Sequence, residues 1–315
     1  MILKMKTNLL LLLSFCLWLC WLPQGLANPA DSLELRPYEA PMDNMSESHF
    51  KSFHNGDIRI YNLKNGHRTI GHSIWLNRKS GHVKAKYFAH KDLHTSKSVY
   101  QKYSSWKSGK DIMLVCSGAF TTKDYTTPLG LTVDNGKIVN RNINKDMDGL
   151  VIVYATGGIV VSDIDEGNLY LGSLNKRIDA RDFRDKQTLI SWAEKEEATI
   201  FQTQLLAYKN NLRIPSHAPR EEAERRLLVL GIDPQGDVQH IIFNIESEVY
   251  LYNISEMVFN YLKAKNMNIV AMLNLDTGMY NILEVYDDDG DQEDDVEGKK
   301  DVRDATNLLT YYYEK

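Results

Sequence analysis

The stretch Ile269-Val-Ala-Met-Leu-Asn-Leu275, continued by Asp276-Thr-Gly278, decides the fold that we predict for this chain. Its short apolar run is typical of a buried strand, and the polar, glycine-containing turn after it ends the strand. Upstream, Asp111-Ile-Met-Leu-Val-Cys116 followed by Ser117-Gly118 repeats this arrangement. We therefore predict a sheet protein in which two buried strands each end in a glycine-bearing loop.

Short alternating runs fill most of the remaining chain, and turn dipeptides separate them. Asn65-Gly66 and Asp134-Asn-Gly136 are the clearest hairpin turns. Apolar spacing predicts one helix over residues 186–198 and a second one that Asn253 caps together with Glu256. Because strands and helices do not alternate regularly, we predict an α+β fold with a mixed, mostly antiparallel sheet and a few packed helices.

Residues 1–27 have the pattern of a secretory signal peptide, with Lys4 and Lys6 before an apolar run and Gly25-Leu-Ala27 as the cleavage site. The run is shorter than the roughly 20 residues of a membrane span. An uncleaved anchor and lipid attachment at Cys16 or Cys20 are the alternatives. We expect a secreted, periplasmic or cell-envelope protein with no membrane span after signal cleavage.

The composition bounds the domain organisation and the partners. Residues 28–50 are polar and lack periodicity, which predicts a flexible leader. We expect residues 51–315 to form a single domain with an acidic loop at 286–300. Signal cleavage leaves Cys116 as the one cysteine, so no intrachain disulfide forms. The formal net charge is −5 and the basic residues are dispersed, so we expect no nucleic-acid partner.

The two glycine-bearing loops are the candidates for chemistry. Glycine lets backbone N–H groups approach a ligand closely, and such turns can present several donors to an anion such as phosphate. Asp276 could act as a general acid or base, and Asn274 could orient a sugar hydroxyl. The alternative is that both loops are plain strand-ending turns, in which Asp276 bonds its own backbone.

In the order of its motifs the chain resembles the phosphodiester glycosidase family, over roughly residues 110 to 285. The segments that carry the resemblance are, in chain order, Ser117-Gly-Ala-Phe120, Pro128-Leu-Gly-Leu131, Asp134-Asn-Gly-Lys137, Phe201-Gln-Thr-Gln-Leu-Leu206, Arg226 with the apolar run after it, and Asn274-Leu-Asp-Thr-Gly278.

The resemblance implies hydrolysis of a sugar that is joined through its anomeric carbon to a phosphodiester, with a carbohydrate or phosphoglycan as the partner and no cofactor. It implies Asp276 and Arg226 as the catalytic residues, with Arg226 neutralising phosphate charge by a bidentate contact. The substrate-binding residues that it implies are Ser117, Gly118, Gln202, Asn274, Thr277 and Gly278.

Several positions depart from the family pattern, and Arg226 lies about one residue out of the family register. Ser117 replaces an asparagine, Ala119 replaces a glycine, and Thr277 replaces the first glycine after the aspartate. A β-branched residue is strained where a glycine has positive φ, so the second loop must take another shape. A non-catalytic glycan or phosphoglycan binder on the same fold is therefore the alternative function.

Two further patterns resemble metal sites. His90 and His94 could share a helix face, but a third ligand is missing. Asp287-Asp-Asp-Gly-Asp291 resembles a calcium loop, but its glycine lies at the wrong offset for an EF-hand. We predict solvated polar surface at the histidines, a mobile solvated loop at the acidic run and no metal site. Calcium binding to the acidic run remains the alternative.

Overall fold

The computed structural model of the chain describes residues 44–89, 98–215 and 221–314. The predicted signal peptide, most of the predicted leader, His90 and His94 lie outside the described residues. The strands are β1 Met45–Phe53, β2 Ile58–Asn65, β3 Arg68–Asn77, β4 Val83–Phe88, β5 Asp111–Cys116, β6 Thr132–Asp134, β7 Lys137–Asn140, β8 Gly149–Val153, β9 Ile159–Asp163, β10 Leu169–Leu171, β11 Lys176–Ile178, β12 Thr199–Tyr208, β13 Asn211–Leu212, β14 Glu222–Ile232, β15 Val238–Tyr250, β16 Asn268–Leu275, β17 Leu283–Val285 and β18 Leu308–Tyr313. The helices are α1 Val99–Lys107, α2 Phe183–Lys195 and α3 Leu251–Ala264.

Two packed sheets form the centre of the fold. The larger sheet runs in the order β1-β2-β3-β15-β14-β16-β12, and β12 continues it to β6–β7 and to β8–β9. The smaller sheet has the order β17-β5-β18-β4. Alternate residues of the facing strands, such as Leu228 and Leu273 against Met113 and Tyr311, form the core between the two sheets.

Every strand pairing within the described residues is antiparallel. The mostly antiparallel prediction is confirmed, whereas the parallel pairs that a mixed sheet implies are not found in this part of the chain. Short hairpin connections explain this result, because only antiparallel neighbours can be joined by tight turns. Both predicted hairpin turns, Asn65-Gly66 between β2 and β3 and the turn between β6 and β7, lie where the sequence placed them.

The helices cover the outer faces of the sheets. Ile254 and Val258 of α3 pack on Leu227 and Val229, which lie on the face of the large sheet that points away from the core. Helix α2 packs over β6, β8 and β12, and α1 packs on the outer face of the small sheet. No helix of the described residues combines the length and the apolarity that a membrane crossing needs.

The predicted helix starts require two corrections. Helix α2 begins at Phe183 instead of residue 186, because the carboxylate of Asp182 caps it by accepting the N–H groups of Arg184 and Asp185. The predicted cap of α3 at Asn253 is wrong, since the helix begins at Leu251 directly after β15 and has no side-chain cap. Packing of its apolar face fixes the start of α3.

Strand β1 begins at Met45, inside the segment that we predicted as a flexible leader. Its Glu47 carboxylate accepts hydrogen bonds from Trp75 Nε1 at 2.9 Å and from the Tyr261 hydroxyl at 2.6 Å. The Ser73 hydroxyl also donates to this carboxylate, and Lys265 Nζ lies 3.4 Å from it. Residues 45–50 therefore belong to the domain.

The acidic loop is attached to the fold at several points. Val296 is fully buried, the Gly298 N–H donates to the Leu283 carbonyl oxygen at 2.8 Å, and Lys51 Nζ lies 2.5 Å from the Glu293 carboxylate. The prediction of a mobile, solvated loop is therefore wrong for the part around residues 293–298. The apolar Val296 within a charged run was the signal for this anchoring.

Candidate functional site

The first loop (117–120) and the second loop (276–282) meet, although one follows the small sheet and the other follows the large sheet. The N–H of Asp276 donates to the carbonyl oxygen of Gly118 at 3.1 Å, and the N–H of Ser117 donates to the carbonyl oxygen of Ile282 at 3.1 Å. The Ser117 hydroxyl donates to the carbonyl oxygen of Tyr280. The two glycine-bearing loops therefore lie side by side in the fold.

The space between the two loops is filled by the protein itself. The N–H groups of Gly118 and Ala119, which we expected to face a ligand, both donate to Asn307 Oδ1, at 3.1 and 2.9 Å. In the second loop the N–H of Gly278 donates to Asp276 Oδ1 at 2.9 Å, and the Thr277 hydroxyl donates to a backbone carbonyl oxygen. These donors shape the loops, so they do not face open space.

Asp276 lies at the end of β16 and is only 3% exposed. Burial raises the pKa of its carboxyl, while the hydrogen bond from Gly278 and the positive charge of Arg226 act in the opposite direction. A buried carboxyl with a raised pKa is a frequent feature of active sites. Asp276 nevertheless does not line the cleft described below.

Arg226 of β14 is fully buried, and its guanidinium binds amide and backbone oxygens. Nη1 donates to the Ile282 carbonyl oxygen at 2.7 Å, and Nη2 donates to Asn281 Oδ1 at 2.6 Å. Nε and Nη2 both donate to Asn244 Oδ1, at 3.2 and 2.9 Å. Burial lowers the pKa of Arg226. In this arrangement the guanidinium fastens the second loop to the large sheet.

Gln202 of β12 is also fully buried, and both ends of its amide bind backbone groups. Oε1 accepts the N–H groups of Leu131 at 2.6 Å and of Asn144 at 3.0 Å. Nε2 donates to the carbonyl oxygens of Met147 at 2.9 Å and of Asn144 at 3.3 Å. Gln202 therefore connects β12 to the two segments that precede β6 and β8.

A cleft of about 570 Å³ lies beside the junction of the two loops. Phe120 of the first loop and Asn274, near the end of β16, both contribute to its wall. The other lining residues are Lys145, Asp146, Asp148, Asp165, Gln204, Leu205, Leu206, Arg213, Ile214, Pro215, Glu221, Arg225 and Leu251. The first loop therefore contributes Phe120 to the cavity, and the predicted residue Asn274 contributes from β16, whereas no residue of the second loop lines it.

Strand register explains why polar side chains gather in the cleft. Gln204 of β12 is paired with Asn274 of β16, and Asn274 is paired with Leu227 of β14. Residues two apart on a strand share a face, so Arg225 lies on the same face as Leu227, and Arg226 lies on the opposite one. Gln204, Asn274 and Arg225 thus lie on one face of three adjacent strands.

Asn274 carries an unused hydrogen-bond acceptor. Its Nδ2 donates to Gln204 Oε1 at 2.7 Å, while its Oδ1 is buried and has no partner among the described residues. A buried acceptor without a partner destabilises the folded state by about 1–3 kcal/mol. A ligand hydroxyl that donates to this oxygen would remove that cost.

Asp148 precedes β8 and contributes a half-buried carboxyl to the cleft. Its Oδ1 accepts the N–H of Leu205 at 2.8 Å. Burial raises the pKa of Asp148, and the negative charges of Asp163 and Asp165 add to this effect. A carboxyl of raised pKa in an accessible cleft suits general acid or base catalysis. The sequence analysis did not select Asp148, although Asp148-Gly149 before an apolar run was a visible signal.

Two positive charges of the cleft have no carboxylate partner within the described residues. Arg225 is half-buried, and it donates to the carbonyl oxygens of Glu221 at 2.6 Å and Val249 at 3.4 Å. Burial lowers the pKa of Arg225. Lys145 is exposed and forms no ion pair with a described residue. Both cations are available to an anionic ligand.

Asp148, Asp163 and Asp165 are the described residues that come nearest to a metal-ligand set, with carboxylate oxygens within 4.8 Å of one another. However, the guanidinium of Arg213 binds Asp163, and that of Arg181 binds Asp165. Two guanidinium groups therefore already compensate the negative charge of these carboxylates. A cluster compensated in this way is a poor site for a divalent cation.

No protein-family model and no curated protein matches the sequence. Among solved structures, the chain is similar to the zebrafish N-acetylglucosamine-1-phosphodiester alpha-N-acetylglucosaminidase catalytic domain auto-inhibited by its pro-peptide. The identity is 11% and the TM-score 0.45, over 86% of this chain and 83% of that chain. A hypothetical protein from Synechocystis is similar with 10% identity and a TM-score of 0.42, over 86% of this chain and 62% of that chain. Both are distant likenesses in fold.

Proposed function

We propose that this protein is an exported hydrolase that cleaves a sugar joined through its anomeric carbon to a phosphodiester. The substrate would bind in the cleft between Phe120, Asn274 and Arg225. The observation that carries the proposal is that a carboxyl with a raised pKa, Asp148, lines the same cleft as Arg225, which forms no ion pair with a described residue, and a buried, unused amide oxygen. The signal-peptide pattern of residues 1–27 supports export.

The cleft offers one group for each part of such a substrate. Its volume of about 570 Å³ lies within the range of small-molecule sites. Arg225 and Lys145 would bind the phosphate, since a guanidinium can contact two phosphate oxygens at once. Asn274 Oδ1 would accept a hydrogen bond from a sugar hydroxyl. Phe120 provides an apolar surface for the sugar ring.

Asp148 would act as a general base. The leaving group is a phosphate monoester, which is stable as an anion, so Arg225 stabilises it without a proton donor. Asp148 removes a proton from water as the oxygen of that water bonds to the anomeric carbon and the phosphate departs with the electrons of the broken C–O bond. A raised pKa makes its carboxylate a stronger base, and the proton is then released to solvent.

The test is a hydrolysis assay on the methyl phosphodiesters of α-glucose, α-mannose and α-N-acetylglucosamine. We expect the wild type to release free sugar from at least one of them, and we expect Asp148→Asn to lower the rate by about a hundredfold or more. Asp294→Asn, at an exposed aspartate outside the cleft, is the control that should keep the wild-type rate. Absence of release from all three compounds would count against the hydrolase.

A non-catalytic phosphoglycan binder is the second candidate. It is favoured by the bonding of Ser117, Asp276 and Arg226 within the protein, which removes the predicted catalytic pair from the cleft. Calorimetry with the same three phosphodiesters separates the candidates. Heat of binding without any release of sugar, unchanged in Asp148→Asn, would identify the binder.

A further inference from the structure

Gln204 and Asn274 bring two amide side chains together in the wall of the cleft. They are direct partners in the antiparallel pairing of β12 with β16, and both line the cleft. Asn274 Nδ2 donates to Gln204 Oε1 at 2.7 Å. Asn274 is only 2% exposed, whereas Gln204 is half-buried. We call these two side chains the amide pair.

Each member of the amide pair keeps one hydrogen-bonding atom without a partner. Asn274 Oδ1 is buried and accepts no hydrogen bond in the part of the chain that the structure describes. Gln204 Nε2 donates to no acceptor in residues 44–89, 98–215 and 221–314. A buried acceptor without a partner is costly, so a ligand that supplies the missing donor is favoured over one that cannot.

The direction in which the amides are bonded decides what the cleft demands of a ligand. Because Gln204 Oε1 accepts from the Asn274 nitrogen, the Asn274 oxygen is the atom left for the ligand. In the reverse pairing Gln204 Nε2 would donate to Asn274 Oδ1, and the Asn274 nitrogen would need an acceptor instead. Gln204 thus determines whether Asn274 requires a donor or an acceptor, and a hydroxyl is the donor that a sugar supplies.

The amide pair is fastened to the same strand as the proposed general base. The N–H of Leu205, which follows Gln204, donates to Asp148 Oδ1 at 2.8 Å. The hydroxyl of Thr203, which precedes Gln204, donates to the carbonyl oxygen of Asn274. Asp148 and the amide pair both line the cleft. A sugar ring that reacts at Asp148 therefore contacts the wall that carries the amide pair.

We propose that Gln204 is a positioning residue and that it makes the site select a sugar with a free hydroxyl at one ring position. Gln204 acts through Asn274, by holding the amide nitrogen so that Oδ1 is offered to the ligand. This inference rests on the proposed function and deepens it, because it states which chemical group of the sugar is recognised. A site built to hydrogen-bond a hydroxyl discriminates strongly against the analogue that lacks it.

The test measures calorimetric dissociation constants for the methyl phosphodiesters of α-glucose and α-mannose and for their monodeoxy and deoxyfluoro analogues. Every protein carries Asp148→Asn, which prevents turnover and keeps an acceptor for the Leu205 N–H. We expect the deoxy analogue at one ring position to bind about tenfold more weakly than the parent sugar, or worse. Fluorine cannot donate, so the deoxyfluoro analogue at that position should bind no more tightly than the deoxy analogue.

Two substitutions of Gln204 test its role through the order of these two analogues. Gln204→Met leaves the Asn274 amide free to turn its nitrogen towards the fluorine, so the deoxyfluoro analogue should now bind more tightly than the deoxy analogue. Gln204→Glu keeps an acceptor for Asn274 Nδ2 and should restore the original order, because its added charge affects both analogues equally. Gln187→Met, at a half-buried glutamine outside the cleft wall, is the matched control and should keep the original order.

The outcomes separate this inference from the proposed function. Equal binding of the parent sugar and all its deoxy analogues overturns the role of the amide pair, and so does an unchanged order in Gln204→Met or a reversed order in Gln204→Glu. Binding of neither parent phosphodiester overturns the proposed function as well. The expected orders without any hydrolysis by the wild type overturn the hydrolase and leave the amide pair standing. Thermal melting of each variant confirms that the fold is retained.

Discussion

The hydrogen bond from the N–H of Asp276 to the carbonyl oxygen of Gly118, at 3.1 Å, joins the ends of the two sheets. Gly118 follows β5 of the small sheet, and Asp276 follows β16 of the large sheet. Backbone groups make this junction, so it does not require the neighbouring side chains. The side chains of Phe120 and Asn274 line the cleft.

We expect Asp276→Asn to stabilise the fold at neutral pH. The pKa of Asp276 is raised above its usual value of 3.8, so its protonated form is favoured by folding. The stability that this contributes is complete below the unfolded pKa and is lost as the pH rises through the folded pKa. At pH 7 the wild type therefore carries a buried charge that asparagine lacks, while asparagine keeps an acceptor for the Gly278 N–H.

Urea unfolding of the wild type and of Asp276→Asn at pH 7 and pH 3 measures this effect. The variant should have the higher free energy of unfolding at pH 7, and the difference should vanish near pH 3. Asp294→Asn, at an exposed position, should show no such dependence. A variant that is less stable than the wild type at pH 7 would show that attraction to Arg226 outweighs the burial of the carboxylate.

We expect Arg226→Lys to destabilise the protein strongly. A lysine cannot reach Asn244, Asn281 and the Ile282 carbonyl oxygen together, and hydrogen bonds to charged groups contribute about 1.5–3 kcal/mol each. The loss should be about 3 kcal/mol or more in urea unfolding. Arg225→Lys is the matched control, and its effect should stay below about 1 kcal/mol. Equal effects at the two positions would contradict the structural role of Arg226.

The two arginines also show how far the sequence could predict the site. The resemblance implied Arg226 as a catalytic residue, and the structure buries Arg226 in the core while its neighbour Arg225 lines the cleft. Adjacent residues on a strand point to opposite faces, so a shift of one position exchanges the core for the cleft. Only the pairing of β14 with β16 decides that Arg225 reaches the cleft.

The sequence predicted other strands best where their apolar runs are continuous. The strands β5 and β16 have continuous apolar runs, and they lie where the sequence analysis placed them. Strand β1 is half-buried and polar, and only its pairing with β2 identifies it. Asp148 enters the site through the pairing of β8 with β12, and the local signal of Asp148-Gly149 before an apolar run does not reveal this long-range pairing.

We expect Glu47→Ala to destabilise the fold by about 3 kcal/mol, because the hydroxyls of Ser73 and Tyr261 lose their acceptor and Trp75 Nε1 keeps only a contact of 3.3 Å with the Ser73 hydroxyl oxygen. Urea unfolding measures this loss. Glu256→Ala is the control, because Glu256 of helix α3 is exposed and accepts the hydroxyl of Tyr252 at the surface, so the change should stay within about 0.5 kcal/mol. A loss of equal size in both variants would show that β1 contributes little.

We expect the pH profile of hydrolysis to report the ionisation of Asp148. A general base must be deprotonated, so kcat/KM should rise with pH through the folded pKa of Asp148, which lies above the usual 3.8.

The negative charges of Asp163 and Asp165 help to raise the pKa of Asp148, and removing one of them should move the rise in kcat/KM to lower pH. Asp165→Asn is the variant of choice, because Asp165 is exposed and the substitution should leave the fold intact. The pH dependence of kcat/KM is measured for this variant and for the wild type on the phosphodiester that is hydrolysed fastest. The rise in kcat/KM should occur at lower pH in the variant. A profile that stays in place in Asp165→Asn would mean that another group sets the pH dependence and that Asp148 is not the base.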